Sequence, residues 1–287
     1  MSERSSDEIL LDTHTHVVAA DRAAYPLSRT GTGRWIDEAP HDAEALLACM
    51  DASGVAGAVL VQGVGAYSFD NRYVADSAAR HPDRFASACC VDPNGEDPAA
   101  TLTYWVRERG VRGVRLFALS AGPSWLDEPR TFPIWERAAE LGAHVIVTAF
   151  PHQLPQVRSV LARFPDVPVS LDHCGFPPPG SEPSEIYALA DLENLHLKVT
   201  TLVLDGVSAS GADPAAWVER IVARFGACRV MWGSDFCQTH DRTYAELVAL
   251  ARRAFSRLTD EERSWCLGRT AARLWPSLAS AASDAKR

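Results

Sequence analysis

The chain lacks any run approaching the ~20 apolar residues that a membrane-spanning helix needs, so no such span is expected. Its opening, MSERSSDEIL, is polar and acidic and holds no apolar stretch of signal-peptide length, which leads to the expectation of a cytoplasmic protein. A basic stripe is also missing. The formal net charge is −9, and the nearest thing to a basic cluster is Arg252-Arg253, set among apolar residues. Phosphate neutralisation needs clustered Lys and Arg, so nucleic acid is excluded as a partner. The seven cysteines are odd in number and sit mostly inside apolar runs, as in Cys89-Cys90, which fits buried free thiols better than a disulfide framework. No Gly-rich phosphate loop follows the first strand-like run, which weakens a dinucleotide-binding reading.

What remains is an ordinary globular composition, 47% hydrophobic and 23% charged, enough for one large core. Short β-branched runs alternate with longer amphipathic ones along the chain. The strand-like runs are ILLDTH (9–14), AGAVLVQ (56–62), FASACCV (85–91), GVRLF (113–117), HVIVTAF (144–150), VPVSLDH (167–173), LHLKVTT (195–201) and CRVMWGS (228–234). Each is largely apolar on both faces, as buried parallel strands are. Helical patterns fill 42–53, 71–80, 97–109, 132–141, 153–163, 184–192, 213–225 and 241–256. Asp97-Pro98 and Asp213-Pro214 read as caps followed by proline at the first helical position, and Gly54 as a stop. Eight strand–helix units demand a parallel sheet with right-handed crossovers, and their number predicts an α/β (β/α)8 TIM barrel. A single domain over 1–287 is expected, with ASAASDAKR at the C-terminus as a tail of ~10 residues.

In such a barrel the active site lies at the C-terminal strand ends. There the first run carries His14 and His16, the fourth Arg115, the sixth Asp172-His173 and the eighth Ser234-Asp235, while Lys198 lies within the seventh. Ionisable groups in apolar strands are costly unless paired or used. Asp172 reads equally as a partner that orients a ring and as a strand-end cap. His144 opens its strand at the opposite end and reads as a packing residue; His41, His81 and His196 read as surface or capping residues. Cys174 and Cys237 lie beside the site but lack an ion-pair partner, and read as inert thiols.

Motifs in order along the chain are DTHTH (12–16), VLVQ with FDN (59–62, 69–71), HPDRF (81–85), ERGVRGVRL (108–116), LDHCGFP (171–177), LKVT (197–200), VMWGSDF (230–236) and GRTAARLW (268–275). In these the chain resembles the amidohydrolase superfamily, in the amidohydrolase family 2 branch of 2-pyrone-4,6-dicarboxylate lactonase-like barrel hydrolases. The resemblance implies a lactonase or carboxylic-ester hydrolase. Metal-dependent members of the superfamily use the HxH pair, a strand-5 histidine and a strand-8 aspartate. Here the fifth run holds Thr148 where that histidine would stand, and His152 lies beyond it. The resemblance therefore implies no required cofactor, with Asp235 as general base and His14, His16 and His173 donating to the substrate carbonyl. Such donors contribute ~3 kcal/mol each in a dry pocket. One Zn2+ on His14, His16 and Asp235 is the alternative, for an amidohydrolase or decarboxylase; a cyclising or dehydrating enzyme, or a ligand-binding protein, is a second.

Arg115 has the fork geometry to hold a substrate carboxylate or carbonyl, or else to pair with a strand-end acid. No further arginine precedes Arg130 on that loop, which argues against a dianionic substrate. Trp35, Tyr67, Trp125, Phe150, Phe176 and Phe236 follow strand ends and predict a fairly apolar pocket. The expected partner is a small lactone or ester, neutral or monoanionic. A homo-oligomer is left open.

Overall fold

The computed structural model describes residues 9–28, 33–122, 124–178 and 183–279. The polar start and all but the first residue of the expected C-terminal tail lie outside these residues. All eight strand-like runs form strands: β1 Leu11–Thr15, β2 Gly57–Val61, β3 Phe85–Cys90, β4 Gly113–Phe117, β5 His144–Thr148, β6 Val169–Leu171, β7 Leu195–Thr200 and β8 Val230–Gly233. Each pairs in parallel with the next. The ring closes where Asp235 N donates to the His14 carbonyl at 2.8 Å and Thr15 bridges Phe236. The architecture is a (β/α)8 barrel.

The helices begin and end where local chemistry dictates. Asp42, Asp97 and Asp213 accept backbone N–H bonds from Ala45, Ala100 and Ala215, so each caps the helix that follows it. Gly54 ends Ala43–Ser53 with φ 71°, a left-handed stop that glycine adopts at little cost. Several helices escaped the sequence reading: Thr201–Ala209 follows β7 directly, Trp35–Glu38 and Val64–Tyr67 are single turns on the loops after β1 and β2, and Asp260–Ser264 and Thr270–Leu274 lie beyond the last expected helix. The expected 184–192 helix shrinks to Ser184–Tyr187. No described helix is long and apolar enough to cross a membrane.

Two hydrophobic layers hold the barrel. The larger lies between sheet and helices, with Leu10, Leu60, Val145 and Trp232 facing outward from their strands. The inner one is closed from below by the C-terminal segment. Trp275 and Leu278 pack against Leu11, Val59, Val61, Ala86, Ala88, Ile146 and Met231 and plug the floor. Glycine stands at 113 because a Cβ there would lie 2.5 Å from the Trp275 ring. The floor also holds the histidine whose placement differs from the sequence reading. His196 is in β7, not at a surface, with Nδ1 on the Val169 carbonyl at 3.1 Å. It alternates with Leu195 and Leu197 and so shares the inner face with Lys198. His144 packs beside it, its Nε2 3.0 Å from Ser170 Oγ.

Candidate active site

The mouth of the barrel is built around an irregularity in β1. Leu11 faces the barrel interior, so strict alternation would send His14 outward with Leu10 and Asp12. The pairing with β2 gains one residue between Asp12 and Thr15, and this bulge turns His14 inward. Asp12 stays outside and ties the two edge strands together. Its Oδ1 accepts from His14 N at 3.1 Å and Ser234 N at 2.9 Å, and its Oδ2 from the Tyr244 hydroxyl at 2.9 Å. Burial raises the Asp12 carboxyl to about 6 against these bonds. Close approach of β8 needs Gly233, where a Cβ would stand 2.7 Å from His14 Cβ.

Two further side chains of the candidate site sit on unusual backbone. His173 has φ 52° and Asp235 φ 61°, the left-handed region sparsely used by non-glycine residues. Each is fixed by a local bond: Phe176 N donates to the His173 carbonyl at 2.9 Å, and Thr239 N to that of Asp235 at 2.7 Å.

The structure brings together all four residues expected to be catalytic. Asp235 Oδ1 is 3.5 Å from His14 Nε2 and 3.5 Å from His16 Nε2. The ring centroids of His14 and His173 are 4.9 Å apart. His16 Nδ1 lies 2.9 Å from the Val61 carbonyl, which only accepts, so Nδ1 carries the proton and Nε2 a lone pair when the ring is neutral. His14 Nδ1 meets Asp172 Oδ1 at 3.1 Å. Burial lowers His14 to about 3, so its ring is neutral at pH 7. Two ring nitrogens and a carboxylate oxygen thus face one another, and both His14 Nε2 and Asp235 Oδ1 are buried without a hydrogen-bond partner. Like-signed acceptors stay together in an apolar interior only around a proton or a cation. Ligand atoms on a tetrahedral ion with bonds of ~2.1 Å stand about 3.4 Å apart, which the two 3.5 Å separations match. These three residues fit a divalent metal.

Asp235 does not have the raised pKa that a base tuned toward neutrality would show. Burial pushes the carboxyl up, but the His16 contact and the fields of His173 and His14 outweigh it and leave it at about 2. Asp172 is likewise held well below the usual carboxylate range: burial opposes ionisation, and Lys198, His14 and Arg115 prevail. The alternative readings of Arg115 resolve partly in favour of the ion pair. Its Nη2 lies 3.0 Å from Asp172 Oδ2 and its Nε donates to Thr148 Oγ1 at 3.0 Å, while one side still lines the pocket.

The pocket above these residues has a volume of about 520 Å³. Of the expected lining, Arg115, Trp35 and Phe176 border it, with Trp35 stacked 5.7 Å from His16. Four aromatics turn elsewhere. Tyr67 is buried below, its hydroxyl accepting from Ala19 N at 2.8 Å. Phe236 packs between His41 and Tyr244, at 4.6 and 5.2 Å. Trp125 leans on the outer core, and Phe150 stacks on His152. A loop position fixes where a ring starts but not which way it turns. Sequence reasoning missed Arg34, Phe117, Gln238 and His240, all of which line the pocket. His240 Nδ1 faces the Gln238 carbonyl at 2.8 Å and Nε2 faces Glu38 at 2.9 Å. Both partners are acceptors, and the Gln238 carbonyl and Glu38 carboxylate raise this ring's pKa above the usual imidazole value. The wall is therefore more polar and more cationic than expected, and among the described residues no acid lines it. Cys174 and Cys237 are buried, with thiols pushed upward by burial, the latter to about 12, as inert thiols should be. All seven cysteines are free.

Comparison with known proteins agrees with this construction. The amidohydrolase profile of the Amidohydro_2 family matches residues 11–277. A protein of Burkholderia ambifaria named L-fucono-1,5-lactonase is 30% identical over 240 residues, covering 79% of each chain. A Pseudomonas putida structure named as a 2-pyrone-4,6-dicarboxylic acid hydrolase superposes with a TM-score of 0.76 at 23% identity, over 94% of this chain and 98% of that one. A zinc-bound amidohydrolase from Burkholderia multivorans gives 0.75 at 22%, over 93% and 99%. At these identities the two structures establish the fold alone. The profile and the lactonase relative go further: the chain belongs to the amidohydrolase family, as a lactonase-like member of it.

Proposed function

We propose that the protein hydrolyses the ring ester of a small, neutral or monoanionic lactone, with Asp235 as general base and a divalent cation cradled by His14, His16 and Asp235. The observation that carries this reading is the convergence of Asp235 Oδ1 on the Nε2 atoms of His14 and His16. The lactonase relative supplies the substrate class. A cation bound there would polarise the attacked carbonyl as a Lewis acid. The metal-free scheme needs His14 and His16 as donors through Nε2, hence as imidazolium, and burial opposes that charge on His14.

The chain's own groups carry the remaining chemistry. Asp235 is ionised at neutral pH, and Gln238 Nε2 holds its Oδ2 at 3.4 Å. Asp235 takes a proton from water as the water oxygen attacks the carbonyl carbon. The carbonyl π pair moves to oxygen and returns as the ring C–O bond breaks, and the departing alkoxide takes the proton from Asp235. The product is a hydroxy acid. His173 meets the Thr200 hydroxyl at Nδ1, 2.8 Å away. With that hydroxyl donating, Nε2–H is free to donate to the carbonyl oxygen as charge grows on it. Trp35 and Phe176 offer flat apolar walls to a ring, and Arg115 offers donors to its substituents.

The test is a panel of neutral aldonolactones, simple esters and a dicarboxylated pyrone, with metal content measured on protein purified without chelator. Turnover of neutral lactones, lost on chelation and restored by zinc, is expected. Exclusive turnover of the dicarboxylate, or full activity in metal-free protein, would overturn the reading.

A further inference from the structure

Lys198 is a wholly buried lysine in the middle of a barrel strand, and the scheme above leaves it unused. Its ammonium lies 3.1 Å from Asp172 Oδ1. The other oxygen, Oδ2, accepts from the Thr148 hydroxyl at 2.8 Å and from Arg115 Nε at 3.1 Å. Three strands, β4, β5 and β7, thus each give one donor residue to a single carboxylate just past the end of β6. The strand-5 position that lacks a histidine is not idle: its threonine anchors this carboxylate. What remains of Oδ1 is directed at His14 Nδ1, 3.1 Å away.

Two neighbours compete for that ring nitrogen, and they require opposite tautomers. A carboxylate only accepts, so contact with Asp172 places the proton on Nδ1. An ammonium only donates, so contact with Lys198, 3.5 Å away, would place it on Nε2. The shorter contact decides the competition, and the three donors that hold Asp172 leave its carboxylate no freedom to turn away.

We propose that Asp172, anchored by Thr148, Arg115 and Lys198, is a positioning residue that fixes the His14 proton on Nδ1 and so presents the Nε2 lone pair to Asp235. The proposal deepens the cation reading given above, because only that tautomer makes His14 a ligand on the side of His16 and Asp235. Outer carboxylates that orient a ligating ring typically change metal affinity 10–100-fold when removed.

The tautomer is observable without metal or substrate. Long-range 1H–15N correlation spectra of 15N-histidine-labelled, chelator-treated protein report which nitrogen of each ring is protonated, and His14→Gln identifies the signal by its loss. Wild type should show His14 protonated on Nδ1, and Lys198→Met should keep it there. Asp172→Asn should move the proton to Nε2 and weaken zinc binding, titrated by chelator competition, 10–100-fold. Asp172→Asn leaves two buried cations unpaired; should it fail to fold, wild type and Lys198→Met decide the matter alone. A wild-type His14 protonated on Nε2, or a switch to Nδ1 only in Lys198→Met, would overturn the proposal. An Nδ1-protonated ring in protein that binds no zinc supports the proposal and removes the cation reading instead.

Discussion

Gly233 offers the sharpest perturbation of the site from outside it. A methyl group added there would stand 2.7 Å from His14 Cβ and 3.1 Å from its backbone nitrogen. Carbon atoms in ordinary contact are 3.5–4.0 Å apart, so β8 and β1 would have to part by about 1 Å. Neither contact atom is the far end of a flexible side chain, and both strands are bound together through Asp235 N and the His14 carbonyl. Overpacking of this kind costs about 1–3 kcal/mol. The larger effect falls on function, because the same shift widens the 3.5 Å separation of His14 Nε2 from Asp235 Oδ1. Misplacement by 1 Å costs about 10²-fold in rate. Gly233→Ala should therefore lower lactone turnover about a hundredfold while urea unfolding shows a folded protein destabilised by 1–3 kcal/mol. Acid release from an aldonolactone, followed with a pH indicator, gives the rate. Turnover within threefold of wild type at an unchanged urea midpoint would refute the claim that the His14–Asp235 distance governs activity.

Trp275 seals the barrel floor, so Trp275→Ala should cost about 3–5 kcal/mol in urea unfolding; a loss under 1 kcal/mol would mean that the plug is dispensable. Acid should unfold the metal-free protein early. Burial lowers His14 to about 3 and His196 to about 4, and lowers His144 and His173 as well, against 6.5 in the unfolded chain. The unfolded state therefore binds more protons below pH 6.5, and stability falls as pH drops through that window. Asp12, raised to about 6, opposes this by one proton between pH 6 and 4. The histidines outnumber Asp12, so the net effect of acid is a loss of stability that steepens from pH 6.5 toward pH 5. A urea midpoint that stays level from pH 7 to pH 5 would contradict it. Breaking the exposed Glu38–His240 pair with Glu38→Gln should change KM less than fivefold and leave kcat unchanged, as exposed ion pairs contribute about 0–1 kcal/mol; a loss of kcat would place the pair in the chemistry.

The barrel was legible because its signal is periodic and repeated. Eight apolar runs, separated by capped helices such as the one opening at Asp213-Pro214, leave little choice of topology. The shared direction of His14 and His16, two residues apart, agrees with strand alternation, yet spacing alone is not the cause of the inward turn. The bulge between Asp12 and Thr15 does the turning, and a pairing irregularity has no local sequence signature. The Asp172 hub was hidden for a different reason. Its donors, Arg115, Thr148 and Lys198, come from three strands, and only the closed barrel places them on one carboxylate. The aromatics misled in the opposite direction. Tyr67 and Phe236 lie near strand ends, but the Ala19 amide and the His41 and Tyr244 rings claim them for packing.

The central claim is that Asp235 activates water for lactone opening, and Asp235→Asn tests it most directly. The variant keeps the shape of the side chain and removes the base. Its rate of aldonolactone hydrolysis, measured as acid release beside wild type at equal zinc content, should fall by about 10²–10⁴-fold with the fold intact. Hydrolysis by Asp235→Asn at the wild-type rate would contradict the account.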